Sequence, residues 1–148
     1  MPPANIHATA LVLGDRGVLI RGASGSGKTT LALALIAGFQ SHGRFARLVG
    51  DDQLFATVRG GRLVVHAPVA IAGLAEIRGI GPHPLPFLPS AVIDRVVWLV
   101  SETQAPRFAD QRSEAIAGVE LPRLDLAARN TAAAAPAVTA WMETTLPR

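Results

Sequence analysis

Gly22-Ala23-Ser24-Gly25-Ser26-Gly27-Lys28-Thr29 decides the fold. The octapeptide fits the pattern G-x-x-x-x-G-K-[ST], a phosphate-binding loop. Glycines let the backbone curl so that successive N–H groups can point inward at phosphate oxygens. The pattern has meaning only between a strand and a helix. Both flanks are legible here. Val18 to Arg21 reads as a short strand. Lys28 opens a helix, with Leu31, Leu33, Leu35 and Ile36 on an apolar face, ending near Gly38. The helix adds free N–H groups and the positive end of its dipole. Lys28 then reaches the β- and γ-phosphates, and the Thr29 hydroxyl holds Mg²⁺. The nucleotide-binding set is Gly22, Ala23, Ser24, Gly25, Ser26, Gly27, Lys28, Thr29 and Thr30, with ATP and Mg²⁺ as cofactors. Thirteen of the fourteen basic residues are Arg, and Lys28 is the one Lys. A tight phosphate cradle excludes the planar fork of Arg but admits an ammonium.

Outward from the loop, Ile6 to Leu13 reads as a strand, closed by the turn Gly14-Asp15-Arg16-Gly17 and paired with Val18–Arg21 as a hairpin. Gln40 to Arg47 reads as a polar connection. Leu48 and Val49 end a strand that delivers Asp51 and Asp52. Leu54–Val58 and Arg62–His66 flank Gly60-Gly61 as a second hairpin. Pro68 to Gly81 reads as irregular, and Pro82, Pro84, Pro86 and Pro89 make a loop of Gly81–Ser90. Ile93 to Val100 is a buried central strand, Leu121–Leu126 a further strand, and Thr131–Thr145 an Ala-rich helix interrupted by Pro136. The expected architecture is α/β, with a mixed sheet and one domain over residues 1–148.

Composition narrows the rest. The chain has 148 residues, 49% of them hydrophobic, and a net charge of +3, which fits a folded globular protein. No run of basic residues is interleaved with aromatics, so nucleic acid is not an expected partner. No apolar run is long enough to span a bilayer, and no signal peptide is visible. With no cysteine there are no disulfides and no thiolate ligands. A cytoplasmic location fits. His42, His66 and His83 form no metal-ligand pattern.

A phosphoryl-transfer site also needs carboxylates for the metal and a base for the nucleophile. Asp51-Asp52 stands at a strand end and suits those roles; a solvated pair of turn aspartates is the alternative. Glu76 is equally readable as a surface residue paired with Arg78.

Taken in order, five segments resemble the catalytic domain of HPr kinase/phosphorylase. They are Ile6-His7-Ala8-Thr9, Gly17-Val18-Leu19-Ile20, the loop 22–29, Leu48-Val49-Gly50-Asp51-Asp52, and Glu76-Ile77-Arg78-Gly79-Ile80-Gly81. The resemblance covers roughly residues 6–100. Ala128-Arg129-Asn130 echoes a further family loop of the form P-x-R-N. The beginning of the catalytic signature close to Met1 is similar to short alpha-proteobacterial versions without the N-terminal domain.

The resemblance implies a fold of the HPr kinase/phosphoenolpyruvate carboxykinase kind. It implies ATP-dependent phosphorylation of a serine on HPr, a carrier of the sugar phosphotransferase system, with reverse phosphorolysis as a further activity and a hexameric homo-oligomer as the assembly. It implies a catalytic set of Asp51, His7, Lys28 and Arg107. In that set Asp51 is the general base, His7 sits beside Asp51 and adjusts its protonation, and Arg107 stabilises charge on the transferred phosphoryl. It implies that Thr29, Asp52 and Glu76 surround Mg²⁺, which prefers hard oxygen ligands. Two other readings remain: a P-loop small-molecule kinase or NTP hydrolase, and an ATP-binding sensor without transfer.

Overall fold

The chain crosses three times between two stacked β-sheets, and those crossings build the molecule. The computed structural model describes residues 3–144 except 109 and 111. From the N-terminus come β1 (Ala4–His7), β2 (Thr9–Leu13), β3 (Arg16–Gly22) and helix α1 (Lys28–Ser41). Next are β4 (Ala46–Gly50), β5 (Gln53–Arg59), β6 (Arg62–His66), β7 (Leu74–Ile77) and β8 (Gly81–Pro84). The chain continues through β9 (Ala91–Ile93), β10 (Arg95–Val100), β11 (Arg112–Ile116), β12 (Val119–Ala127) and helix α2 (Thr131–Met142).

Six strands form one sheet in the order β11-β12-β10-β3-β2-β4, and four form another in the order β1-β5-β6-β9. In the larger sheet β12, β10 and β3 are parallel. Strand β2 is antiparallel to both β3 and β4, so β4 runs with β3. The C-terminal ends of β3, β4, β10 and β12 therefore share one edge with the start of β2. In open α/β sheets that edge is where ligands bind.

Side-chain alternation fills two cores. Val18, Ile20, Val97 and Leu99 point to one face and pack with Leu31, Leu35 and Phe39 of α1 and Val138 of α2. Leu19, Val96, Ala10 and Val49 point to the other, against Ile6, Leu54, Leu63, Val65 and Ile93. The larger sheet is the middle layer, and its central strands are covered on both faces, as their continuous apolar runs require. The expected α/β class and mixed sheet hold.

Several boundaries differ from the sequence reading. Ile6–Leu13 is two strands in different sheets, divided at Ala8. Ile93–Val100 is likewise divided at Asp94. Apolar alternation runs through the first junction without a mark, while the second carries the charged pair Asp94-Arg95, which the sequence reading ran through as one strand. Helix α1 continues to Ser41 because Phe39 buries beyond Gly38. Segment 68–84 is not all irregular. Strands β7 and β8 pair there, and Pro82 and Pro84 fit because this two-stranded ribbon leaves an edge without ladder bonds. Strand β11 has no counterpart in the sequence reading. Helix α2 runs through Pro136, which removes one ladder donor without breaking the helix; Thr145 lies outside the described residues. Its last carbonyls are held from another layer: the buried Arg95 donates to Trp141 O and, at 2.9 Å, to Thr144 O.

The crossing at Asp94 forces the sheets together. Gly17 N donates to Asp94 Oδ2 at 2.9 Å, and Asp94 N donates to Gly17 O at 2.8 Å. A Cβ on Gly17 would lie 1.9 Å from Val92 O. Gly17→Ala should therefore lower unfolding stability by about 2 kcal/mol or more, since backbone must move. Gly38→Ala, in open space within α1, should raise it by about 0.5–1 kcal/mol. Urea denaturation of the two variants checks both signs.

Candidate active site

The loop between β3 and α1 lies on the sheet edge where the strand C-termini gather. Gly27 caps α1 with φ 98°, a left-handed conformation that glycine adopts without strain. Lys28 is buried, and its Nζ donates to Gly22 O and Ala23 O, both at 3.0 Å. Burial pushes the Lys28 ammonium below the usual lysine range, while Asp51 and then Asp52 pull the other way. Ser24, Gly25, Gly27, Lys28, Thr29 and Thr30 line a cleft of about 860 Å³, which is the scale of a small-molecule site. Gly22, Ala23 and Ser26 shape the loop from behind. Ser26 Oγ is buried without a partner among the described residues.

Asp51 and Asp52 occupy the crossing from β4 to β5. Beside it the chain makes its crossing from β1 to β2, with Ala8 N donating to Asp52 O at 3.1 Å. The two junctions sort the side chains. Thr9, the first residue of β2, donates from Oγ1 to Asp51 Oδ1 at 2.7 Å. His7, the last of β1, places Nε2 at 2.7 Å from Asp52 Oδ1. The expectation that puts His7 beside Asp51 is corrected: His7 belongs to the four-stranded sheet, and its neighbour is Asp52. Asp51 is buried and fully engaged. It accepts from Thr29 Oγ1 at 2.9 and 3.0 Å and from Glu76 N at 2.9 Å, besides Thr9. Asp52 is exposed, with φ 72°.

Glu76 sits on β7 and lines the cleft with Asp51 and Asp52. Its side chain is exposed, and among the described residues it makes no ion pair with Arg78. Arg107 is not brought in. It is exposed beyond β10, 5.7 Å from the Phe108 ring, and does not line the cleft. The turn after β10 carries it away from the loop. Sequence reasoning gave no role to Thr9, Arg78 or Arg129, all of which the structure brings to the site. Thr9 stood only within the segment Ile6-His7-Ala8-Thr9, and its contact with Asp51 depends on the change of sheet at Ala8. Arg129 had only the Ala128-Arg129-Asn130 echo.

Of the expected set of Thr29, Asp52 and Glu76, all three line the cleft and offer hard oxygens that suit Mg²⁺, and Asp51 accepts from the Thr29 hydroxyl. Among the described residues no three His, Cys, Asp or Glu side chains cluster to cage an ion. That fits Mg²⁺ at a nucleotide, which takes one or two carboxylates and otherwise phosphates and water.

The family model of the HPr Serine kinase C-terminal domain matches residues 2–82. The chain belongs to this family. The HPr kinase/phosphorylase of Clostridium tetani is 35% identical to this HPr kinase-family chain over 95 residues, 63% of the chain and 29% of the relative. That of Brevibacillus brevis is 41% identical over 81 residues, 54% and 24% respectively. The chain thus spans less than a third of the length of these curated relatives. The solved structure of the Hpr(Ser) kinase/phosphatase from Coxiella burnetii superposes with a TM-score of 0.78 at 25% identity, covering 94% of this chain and 96% of that one. The fold is therefore that of the HPr kinase family over nearly the whole chain. No helix among the described residues is long and apolar enough to cross a membrane.

The two aspartates should separate in stability. Asp51→Asn turns an amide toward three donors and should cost about 1–3 kcal/mol. Asp52→Asn should stay within about 0.5 kcal/mol, because the site is exposed and Asn tolerates φ > 0. Chemical denaturation of both variants reads the difference.

Proposed function

We propose that this chain transfers a phosphoryl group from ATP to a serine hydroxyl of HPr, in a Mg²⁺-dependent reaction, with the reverse phosphorolysis on the same residues. The observation that carries the reading is the convergence of Lys28, the Thr29–Asp51 pair and the His7–Asp52 pair on one cleft, in a chain of the HPr kinase family. The reading extends to a single cytoplasmic domain, 1–148, in a homo-oligomer, without nucleic-acid or membrane partners.

The geometry favours exchanging the two aspartate roles. Asp51 has its oxygens turned to the Thr29 hydroxyl and the Glu76 N–H, so it would orient the two residues that would hold Mg²⁺; bound there, the ion would supply positive charge against the phosphate oxygens. Asp52 is exposed in the cleft and has an imidazole to orient it, as a general base requires. In the forward direction Asp52 takes the serine proton. The serine oxygen forms a bond to the γ-phosphorus as the bond from phosphorus to the β–γ bridging oxygen breaks, and ADP leaves. His7 Nε2–H holds the Asp52 carboxylate in place. Lys28 offsets charge on the β- and γ-phosphates. Arg107 stands outside this scheme.

Purified protein with labelled ATP should label HPr, and HPr with its target Ser changed to Ala should stay unlabelled. Equal labelling of both, or of neither, would defeat the HPr assignment; ATP turnover without labelling would indicate a hydrolase, and binding without turnover a sensor.

The aspartate exchange has its own test. Asp52→Asn should cut the transfer rate at saturating Mg²⁺ by about 10²–10⁴-fold, with nucleotide affinity near normal. Asp51→Asn should instead raise the Mg²⁺ concentration needed for half-maximal rate. Kinetics against Mg²⁺ that show the opposite pattern would restore Asp51 as the base.

A further inference from the structure

Arg129 is tied to the phosphate loop from the far end of the chain. It follows β12, takes φ 59° and is not glycine. A left-handed arginine costs free energy unless its surroundings hold it. Here two bonds do so: its backbone N–H donates to Ser26 O at 2.9 Å and its Nε to Gly25 O at 3.0 Å. Packing is close, since a Cβ on Gly27 would sit 3.8 Å from Arg129 Cα. Lys28 holds the carbonyls of Gly22 and Ala23, so loop carbonyls are gripped from both sides. Each carbonyl so held also fixes the N–H of the same peptide plane.

The guanidinium is not used up. Among the described residues its two Nη atoms have no partner, and Arg129 is exposed and lines the cleft. Charge gives those atoms a use. The cleft is lined by three carboxylates, Asp51, Asp52 and Glu76, and by three cationic side chains, Lys28, Arg78 and Arg129. Without Arg129 the carboxylates outnumber the cations at a site read as binding a polyanion. Two of the donors on Lys28 are committed to the loop, and Arg107 lies elsewhere.

We propose that Arg129 is a nucleotide-contacting residue: its Nε and backbone brace the phosphate loop, and its Nη pair donates to the phosphate chain of a bound nucleoside triphosphate. The planar fork of Arg suits phosphate oxygens. The inference rests on reading the cleft as a nucleotide site.

The test is ATP binding to the full chain by calorimetry, across a salt series, for the wild type and Arg129→Asn. Asn keeps the backbone N–H and adopts φ > 0 readily. The variant should bind ATP at least about tenfold more weakly, with a shallower salt dependence and an unchanged melting midpoint without nucleotide. Affinity within twofold of wild type, or an unchanged salt dependence, overturns the proposal. Should the variant not fold, modification of the unaltered protein by phenylglyoxal decides, read by mass spectrometry. ATP should slow modification of Arg129 and leave Arg107 unaffected; equal rates at Arg129 with and without ATP overturn the proposal. A chain that binds ATP but leaves HPr unlabelled sinks the kinase reading alone. A chain that binds no ATP sinks both.

Discussion

The Asp51 carboxylate is the point on which the site hangs. It accepts hydrogen bonds from β2 through Thr9, from α1 through Thr29 and from β7 through the Glu76 N–H. Asp51 itself directly follows β4. Four elements thus meet on two oxygens that solvent barely reaches. A buried carboxylate is tolerated only when fully hydrogen-bonded or paired, and this one has three donors and the Lys28 ammonium nearby. The arrangement is mutual. Lys28 is disfavoured as a cation by burial, and Asp51 contributes most to keeping it charged. Loss of Asp51 would leave the buried Lys28 ammonium with less opposing charge.

That carboxylate stands where it does because of how the chain changes sheets. Two crossings, at Ala8 and at Asp51-Asp52, lie side by side. A third, at Asp94, lies where Gly17 lets β3 approach β9. The second and third crossings carry aspartates, and the first lies against Asp52. Asp94 gathers Gly17 N and the side chains of Arg62 and Arg16, and its partners are structural. At the adjacent pair of crossings the carboxylates open instead onto the cleft beside the phosphate loop. The same solution to a backbone problem yields a brace at one place and a candidate site at another.

The phosphate loop, its strand and its helix were legible because local chemistry sets them: glycines where φ is positive, then a helix with a burying stripe. The pairing of β2 with β3 and of β5 with β6 was legible from turns. The crossings were not. Ile6–Leu13 carries buried Ala8 at its junction with nothing to mark the change of sheet; in Ile93–Val100 the charged pair Asp94-Arg95 stands at the junction, but Arg95 is buried within the strand that follows. Missing the first crossing led directly to the wrong neighbour for His7. On one continuous strand His7 and Thr9 share a face and would meet the same aspartate; once the chain changes sheet between them, each meets a different one. Arg107 failed for a related reason. Sequence order placed it after the central strand, but nothing local says which way a turn leaves the sheet edge. From the residues alone Glu76 was equally readable as a surface acid paired with Arg78, and only the resemblance put it in the metal set, since its position on β7 depends on a ribbon whose prolines argue against a strand.

The asymmetry between the aspartates follows from burial. Asp51 has its lone pairs committed to fixed donors, so the free energy of moving it includes breaking those bonds. Among the described residues Asp52 has a single side-chain partner, His7, and it stands in a left-handed conformation that a residue such as Asp or Asn holds at small cost. Strain of that kind persists where the surrounding structure over-determines it. Here the bonds from Ala8 N to Asp52 O and from Gln53 N to Asp51 O do so. The backbone at Asp52 is therefore fixed while its carboxylate stays exposed to the cleft beside His7. A buried, saturated acid suits a fixed task such as orienting Thr29, and an exposed acid on a rigid backbone suits proton transfer. That is why adjacent and chemically identical residues are read here as doing different work.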